Sequence, residues 1–521
     1  MVQITPDLGP LDDEISQISA LIAQPSLRLI ILDQELRKLA DERERLATYV
    51  DSHTALLSPV RRLPLDILQE IFIACLPAHR NCVMSATEAP VLLGRICSSW
   101  RNISLSTPCL WSRLHLAHPI LKLNPSVPLS AVFTNKVAQR LEIAKTWLGR
   151  SGQCPLAISS LWIVRGSIEH PENTTNLLID TLLPFSSRWE HISFVTAASI
   201  LPKLSHLTEA DVPVWKSFKF RQADAHEEDS PQWNSLRLLR GRTLSCFGII
   251  AKGVMALEMP LRWNNLTGLE IEESFDLDSM TAERALDVLS RCPKLRTCRL
   301  QVVYRPGAAI TEWRIVECPF LHTFVLQSPM CSRTSLPSAI QQFSDRLSFP
   351  HLRHLKLCGK QDDGPAADIS YYSFLAAAPH LESVDLNMDL CTKAALKDFL
   401  LALPPTLRRF RISKAVYAHP RHSFDDDLLP TFTSACPGLQ ELEIHDCPSM
   451  SDVVLINFIK SNMVAGALRR LVILFERRYG EFKYHHPDVQ PFLEVVLWLP
   501  RYGNSPGGTP FASKQGLEFT P

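Results

Sequence analysis

A charge excess is the first thing this 521-residue sequence lacks, since 54 Lys and Arg stand against 54 Asp and Glu. A general nucleic-acid binder needs a basic surplus to neutralise phosphates, so that class is excluded as an expectation, and binding to an anionic membrane surface is disfavoured likewise. Long apolar runs are also missing. No uninterrupted run approaches about eighteen residues, so no bilayer-spanning helix is expected. Met1 to Glu14 is acidic, without the basic start and apolar core of a secretory signal, so no export is expected at this end. The fourteen cysteines then read as reduced thiols of a cytoplasmic or nuclear protein. Several close helical stretches, as in Cys292-Pro293, Cys318-Pro319 and Cys436-Pro437. The sequons at Asn102, Asn173 and Asn265 are accidental on this reading.

The usual marks of catalysis are lacking as well. There is no Cys-x-x-Cys, and Gly359-Lys360 lacks the spacing of a phosphate-cradling loop. His351 and His354 fall at a strand pattern, where odd spacing sends side chains to opposite faces. His419, His422, His485 and His486 have no cysteine or carboxylate at ligand spacing and read as solvated loop residues, so no metal site is expected. A thiol nucleophile is disfavoured because positions such as Cys298 are apolar strand positions, where burial raises the pKa. Asp425, Asp426 and Asp427 read as a solvated helix-start charge run. No catalytic residue and no cofactor is expected.

With 46% hydrophobic residues over this length, a substantial core and about three domains are expected. The most specific stretch is Leu63-Pro64-Leu65-Asp66-Ile67-Leu68-Gln69-Glu70-Ile71-Phe72. Pro64 suits a first helical turn, and Leu65, Leu68, Phe72 and Cys75 recur at helical spacing, with Ile67 and Ile71 widening the stripe. A short helix apolar over most of its girth needs a second surface to cover it. Next comes a helical pattern opened by Glu88 and Pro90 and capped by Thr87 or Ser85. It carries Leu92, Leu93, Ile96, Cys97, Trp100 and Ile103. Thr107-Pro108 then starts a short turn presenting Leu110 and Trp111.

In order and spacing these pieces resemble an F-box. The likeness is closest to the large fungal F-box family, in which a helical segment precedes the box and leucine-rich repeats follow it. The Pro77 to Ala89 connection is longer than that family's usual pattern. The resemblance implies docking on the Skp adaptor of a cullin-RING ubiquitin ligase. Leu63, Pro64, Leu65, Ile67, Leu68, Ile71, Phe72, Leu93, Trp100, Leu110 and Trp111 are then the candidate adaptor-binding residues. The plainer alternative is that these helices simply cap a larger core.

Upstream, Leu29, Leu32, Leu36, Leu39, Leu46, Val50 and Leu57 follow a heptad-like seam, with Arg43 and His53 in the two polar gaps. Pro25 is expected to separate this helix from a shorter pattern at Ile15, Ile18 and Ile22. The seam suits a dimerising coiled coil or a helix packed back on the box. The polar breaks favour the second, and a monomeric receptor.

Downstream, Leu-x-x-apolar-x-apolar recurs from Leu266, Leu295, Leu321, Leu352, Leu381, Leu407, Leu439 and Leu468, at intervals of 29, 26, 31, 29, 26, 32 and 29 residues. This is a leucine-rich-repeat period. Each unit reads as strand, loop and helix. Stacking gives an α/β solenoid with a curved parallel sheet inside and helices outside. Weaker copies lie at Trp189/Ile192/Phe194, Trp233/Leu236/Leu238 and Leu244/Phe247/Ile249, and Leu156/Ile158 can begin the series.

The layout is therefore a helical, coiled-coil-like segment over 1–60, the F-box over 61–116, and a connecting helix over 117–149, helical from Val137 to Leu148 and capping the first strand. A solenoid over 150–500 and a flexible tail over 501–521 complete it. The resemblance implies a non-catalytic substrate-recognition subunit of a Skp-cullin-F-box ubiquitin ligase. The alternative is an F-box/leucine-rich-repeat scaffold or binding protein that assembles no active ligase. The target protein is not legible. Period-two alternation exposes one column of the sheet, Glu270, Arg299, Val325, Lys356, Asp385, Arg411, Glu443 and Val472. Lys356, Asp385, Arg409, Arg411, Glu441 and Glu443 are the candidate target-binding residues. The rival reading is that these charges only satisfy one another.

Overall fold

The computed structural model describes residues 12–56, 59–118, 129–162, 171–223, 233–273, 280–303, 314–328, 336–359, 372–387, 392–413, 426–447, 452–465, 468–475 and 494–498. Leu57, His419, His422, Asp425, His485, His486 and the tail over 501–521 lie outside the described residues. Two compact units are present, Met1–Ala74 and Cys75–Pro521. The division therefore falls inside the 61–116 segment that the sequence marks as one module.

The first unit holds α1 (Asp12–Leu56), a 3-10 turn at Pro59–Arg62, and α2 (Leu65–Ala74). Pro25 does not separate two helices: α1 runs unbroken through it for 45 residues. A proline removes one N–H and crowds one carbonyl, a local cost of roughly 3 kcal/mol that the turns on either side can outweigh. The side chains from Ile15 to Thr54 are all exposed, so α2, in the same unit, does not cover this helix. By length and composition α1 is also apolar enough to cross a bilayer, with a mean hydropathy of 1.4 over an 18-residue window. A search for unbroken apolar runs misses it because Gln24, Pro25 and Arg28 interrupt the sequence there.

The second unit begins with α3 (Leu93–Ile96), α4 (Ser98–Ser106) and a 3-10 turn at Pro108–Trp111. The single helix expected from Glu88 to Ile103 is broken at Cys97, whose backbone is extended and whose Sγ accepts a hydrogen bond from the Trp100 N–H. A large parallel sheet follows, with 14 strands adjacent in chain order among the described residues. Its strands are β1 (Arg113–Ala117), β2 (Leu156–Leu161), β3 (Trp189–Thr196), β4 (Ser217–Gln222), β5 (Cys246–Ala251), β6 (Gly268–Glu273) and β7 (Thr297–Gln301). They continue as β8 (Thr323–Ser328), β9 (His354–Gly359), β10 (Ser383–Asn387), β11 (Arg409–Ser413), β12 (Glu441–Cys447), β13 (Arg470–Phe475) and β14 (Glu494–Trp498). The chain is thus α/β, with a long parallel sheet and an N-terminal helix.

The eight leucine-led patterns from Leu266 to Leu468 all coincide with strands. In each, the leading leucine lies just before the strand and is buried together with the two apolar residues that follow, as in Leu352, Leu355 and Leu357. Alternation sends those residues to the side where helices pack and puts the residue between them on the other face; it is polar in six patterns, whereas Val325 and Val472, expected to be exposed with the rest of the column, are buried. Thr281 and Thr392 cap the helices Ala282–Ser290 and Lys393–Leu401 by accepting the N–H of Arg284 and Ala395. In the first third of the sheet many connections are 3-10 turns, and the buried Trp189, Trp215 and Trp233 supply apolar volume there.

Three strands escape the leucine pattern: β1, β4 and β14. Conversely, Trp233/Leu236/Leu238 is not a strand but two 3-10 turns, Trp233–Ser235 and Arg237–Arg240. Leu236, Leu238 and Leu239 are all buried there. The helix expected over Val137 to Leu148 is α5 (Leu129–Arg150), which packs beside the helix Pro171–Leu182. The outer edge of β1 is met instead by Val83, bridged in parallel to His115, with the His115 N–H donating to the Cys82 carbonyl at 2.7 Å.

Candidate functional site

Two surfaces carry the candidate residues. In the first unit, the Pro64 carbonyl accepts the Leu68 N–H at 3.1 Å, so Pro64 stands at the start of α2, where its missing N–H costs nothing. Leu68 and Phe72, one turn apart, are buried. Ile67 and Ile71 form the neighbouring stripe and stay 44% and 41% exposed, and Leu65, also exposed, flanks the buried pair on the other side. Pro64 is exposed and Leu63 half-buried. An apolar stripe of this kind gains roughly 1.5–3 kcal/mol per aliphatic side chain when fully covered.

In the second unit, Leu92, Ile96 and Leu105 are exposed and Trp100 is half-buried, whereas Leu93, Leu110 and Trp111 are core residues. Trp111 is only 3% exposed. Its Nε1 donates to the Ser104 carbonyl at 2.8 Å, its ring meets Trp147 of α5 edge-on with centroids 4.8 Å apart, and the Arg150 guanidinium lies 4.7 Å from its centre. Trp111, Leu114 and Leu116 repeat the apolar-x-x-apolar-x-apolar spacing, so Trp111 is the leading residue of β1. The segment before it is tied to the sheet by polar contacts: Asn81 Nδ2 donates to Ser159 Oγ at 3.0 Å, and Arg113 donates to the Arg80 carbonyl at 2.6 Å.

The second surface is the polar face of the sheet. The register pairs Glu270 with Arg299, Lys356 with Asp385, Asp385 with Arg411, and Arg411 with Glu443, as alternation requires. The six candidate target-binding residues form three ion pairs: Lys356–Asp385 at 2.5 Å, Arg409–Glu441 at 3.5 Å and Arg411–Glu443 at 3.6 Å. Glu443 also receives Arg470 and, at 3.6 Å, His445 Nε2. Each half-exposed pair contributes only about 0.2–1 kcal/mol. Pairing does not exhaust the donors, because a guanidinium has five N–H groups and one carboxylate engages at most two.

Sequence reasoning missed the upstream end of this column. Lys219 of β4 reaches across β5 to Glu270 at 3.3 Å. The crossing is possible because the residue between them in register is Gly248, where a Cβ would sit 3.1 Å from Lys219 Cγ and 3.4 Å from Glu270 Oε2. Glu272, one row on, takes hydrogen bonds from Arg299 Nη1 at 3.2 Å and Gln327 Nε2 at 3.0 Å. Burial, its strongest influence, raises the Glu272 carboxyl above the usual range against the opposing pull of Arg299. The continuing column was the available signal, but β4 has to be recognised as a strand before it can be followed.

Burial dominates the thiols as well. It pushes Cys292, Cys318 and Cys436 up to about 12 and raises Cys298 well above the ordinary thiol value. Among the described residues no three His, Cys, Asp or Glu side chains gather as a metal site would require.

No family model matches this chain. No curated protein matches it either. Solved structures do match, among them one titled as the crystal structure of the Rad7 and Elc1 complex in yeast. That match has a TM-score of 0.35 and 13% sequence identity, and covers 86% of this chain and 96% of that one. At that level the likeness carries no argument about this chain.

Proposed function

We propose that this chain is the substrate-recognition subunit of a Skp-cullin-F-box ubiquitin ligase, with an F-box that docks on the Skp adaptor and a leucine-rich-repeat solenoid that holds the target. The observation that carries the reading is α2. The ordered motif from Leu63 to Phe72 folds as a helix whose Ile67 and Ile71 stripe is left uncovered, upstream of a long parallel sheet with a leucine-led repeat. The adaptor would cover that stripe. The polar face of the sheet would hold the target near a ubiquitin-loaded conjugating enzyme, raising effective concentration without a catalytic group of its own. The raised pKa of the buried thiols fits a non-catalytic role, since a thiolate is the species that would accept ubiquitin.

The test is Ile71→Asp in the full chain co-expressed with a Skp adaptor. The position is half open, so folding should survive, while a charge placed in a desolvated contact costs several kcal/mol. Adaptor capture should be lost with the thermal transition of the sheet unchanged. Capture at the wild-type level refutes the assignment of α2. Recovery of the adaptor without a cullin from the wild-type protein would favour the scaffold alternative.

A further inference from the structure

We propose that α1 joins two copies of this chain as a parallel two-stranded coiled coil that runs without interruption through Pro25. Because α1 is one helix, its two apolar stretches share a single phase. Starting at Ile15 and stepping by three and four residues in turn gives Ile18, Ile22, Pro25, Leu29, Leu32, Leu36, Leu39, Arg43, Leu46, Val50 and His53. This is an unbroken a/d series in which Ile15 is an a position. Leu29 and Leu36 of this seam are 61% and 63% exposed. A helix whose apolar stripe faces water has little to hold it helical, because helices in proteins are stabilised chiefly by covering such a face.

Charge decides between the possible occupants. Of all Asp, Glu, Lys and Arg side chains from Asp12 to Thr54, only Arg43 falls on the seam. A bilayer-spanning helix is apolar all round. α1 approaches that only over Leu27–Leu32, and even there Arg28 intervenes. The e and g positions then select the orientation. In a parallel pair each g residue faces the e residue five positions on in the other helix, so Arg28 meets Asp33 of the second copy and no like charges meet among the e and g positions. Arg43, on its a position, faces Arg43 of the second copy, and Glu42 of each copy lies beside that pair to offset the two like charges. In an antiparallel pair with full overlap, g faces g and e faces e. Glu35 would then meet Glu35, and Asp33 would meet Asp33, at the centre of the seam. Pro25 would also stand opposite Arg43. Like charges in such places are what specify against an orientation.

The experiment uses the full chain. Light scattering at micromolar concentration should give twice the chain mass. The seam variant Leu36→Asp/Leu39→Asp should give the chain mass with the thermal transition of the sheet unaltered. The off-seam variant Leu27→Ser/Ile30→Ser should remain dimeric, which separates seam contact from general apolarity. Arg28→Asp should weaken the dimer at least several-fold, and Arg28→Asp/Asp33→Arg should restore it. Leu32→Cys should cross-link the two copies under oxidation in the parallel arrangement, because position 32 then faces itself. A dimer that survives the seam variant, or a dimer without the Leu32→Cys cross-link, overturns the proposal. So does a monomer, including one that floats with phosphatidylcholine vesicles and thereby assigns the helix to a membrane. The α2 assignment stands or falls separately, on adaptor capture by Ile71→Asp.

Discussion

Replacing Trp111 separates packing from partner binding more sharply than any other change in the 61–116 segment. In Trp111→Phe the ring against Trp147 survives in part, but the indole N–H that serves the buried Ser104 carbonyl is lost. The Ser104 carbonyl keeps the Thr107 N–H at 3.4 Å, so the loss is that of one net hydrogen bond, about 0.5–1.5 kcal/mol. The weakened edge contact adds up to roughly 0.5–1.5 kcal/mol, and the half-exposed Arg150 over the ring contributes about 0.5–1 kcal/mol at most. The expected loss is therefore about 1–3 kcal/mol, and Trp111→Ala should approach the roughly 3–5 kcal/mol of a large core truncation. Repeat structures need not unfold in one step, so the quantity to follow is the midpoint of the earliest urea transition, by near-ultraviolet circular dichroism. Adaptor capture should be measured alongside, at equal concentrations of folded protein. The expected outcome is a lower midpoint with capture retained. A variant as stable as the wild type that loses the adaptor would place Trp111 at the interface and refute its role as the leading core residue of β1.

Two further outcomes are expected from the polar face. Arg411→Glu should lower stability by no more than about 1 kcal/mol, because Glu443 keeps Arg470, and should abolish target capture in affinity purification while the adaptor stays bound. Unchanged capture would move recognition off this column. Burial of Glu272 raises its folded pKa above the unfolded value, so its ionisation penalises the fold at neutral pH. That penalty fades as pH falls through the folded pKa toward the unfolded one. Glu272→Gln keeps an acceptor for Arg299 and Gln327, so its thermal midpoint should exceed the wild type at neutral pH and converge with it as the pH drops through the carboxylate range. A pH-independent difference, or one of opposite sign, would contradict this account.

The legible part of the fold is the part written in leucine. Where leucine leads the repeat, from Leu266 to Leu468, pattern and interval reinforce each other and every strand of the large sheet there can be found, though not the short pair Val316–Glu317 and Leu347–Ser348. Tryptophan leads at Trp189, where the pattern is still found in β3, and at Trp111 and Trp215, where the same geometry in β1 and β4 goes unread. Trp111 then reads as an aromatic offered to a partner, although it is a core residue. Composition also misleads in the other direction, since Trp233/Leu236/Leu238 has the right letters and folds as two 3-10 turns.

The same contrast between local and distant causes runs through the candidate sites. Which residue sits opposite which on the polar face follows from period-two alternation and was legible, as with Lys356 and Asp385. Which carboxylate a given cation takes was not. Long side chains reach diagonally, so Arg299 divides itself between Glu270 and Glu272, and Lys219 crosses a whole strand over a glycine. Pro25 is the converse case. Its local effect, one missing N–H and one crowded carbonyl, argues for a break. The turns on both sides of it argue for continuity, and their apolar positions stay in phase only if the helix does not stop. A break would have left two short amphipathic pieces, the first with three seam residues; one continuous helix places nine apolar side chains on a single line. A seam of that length is worth keeping only if something covers it, and the charges that flank it are arranged to suit another copy of itself.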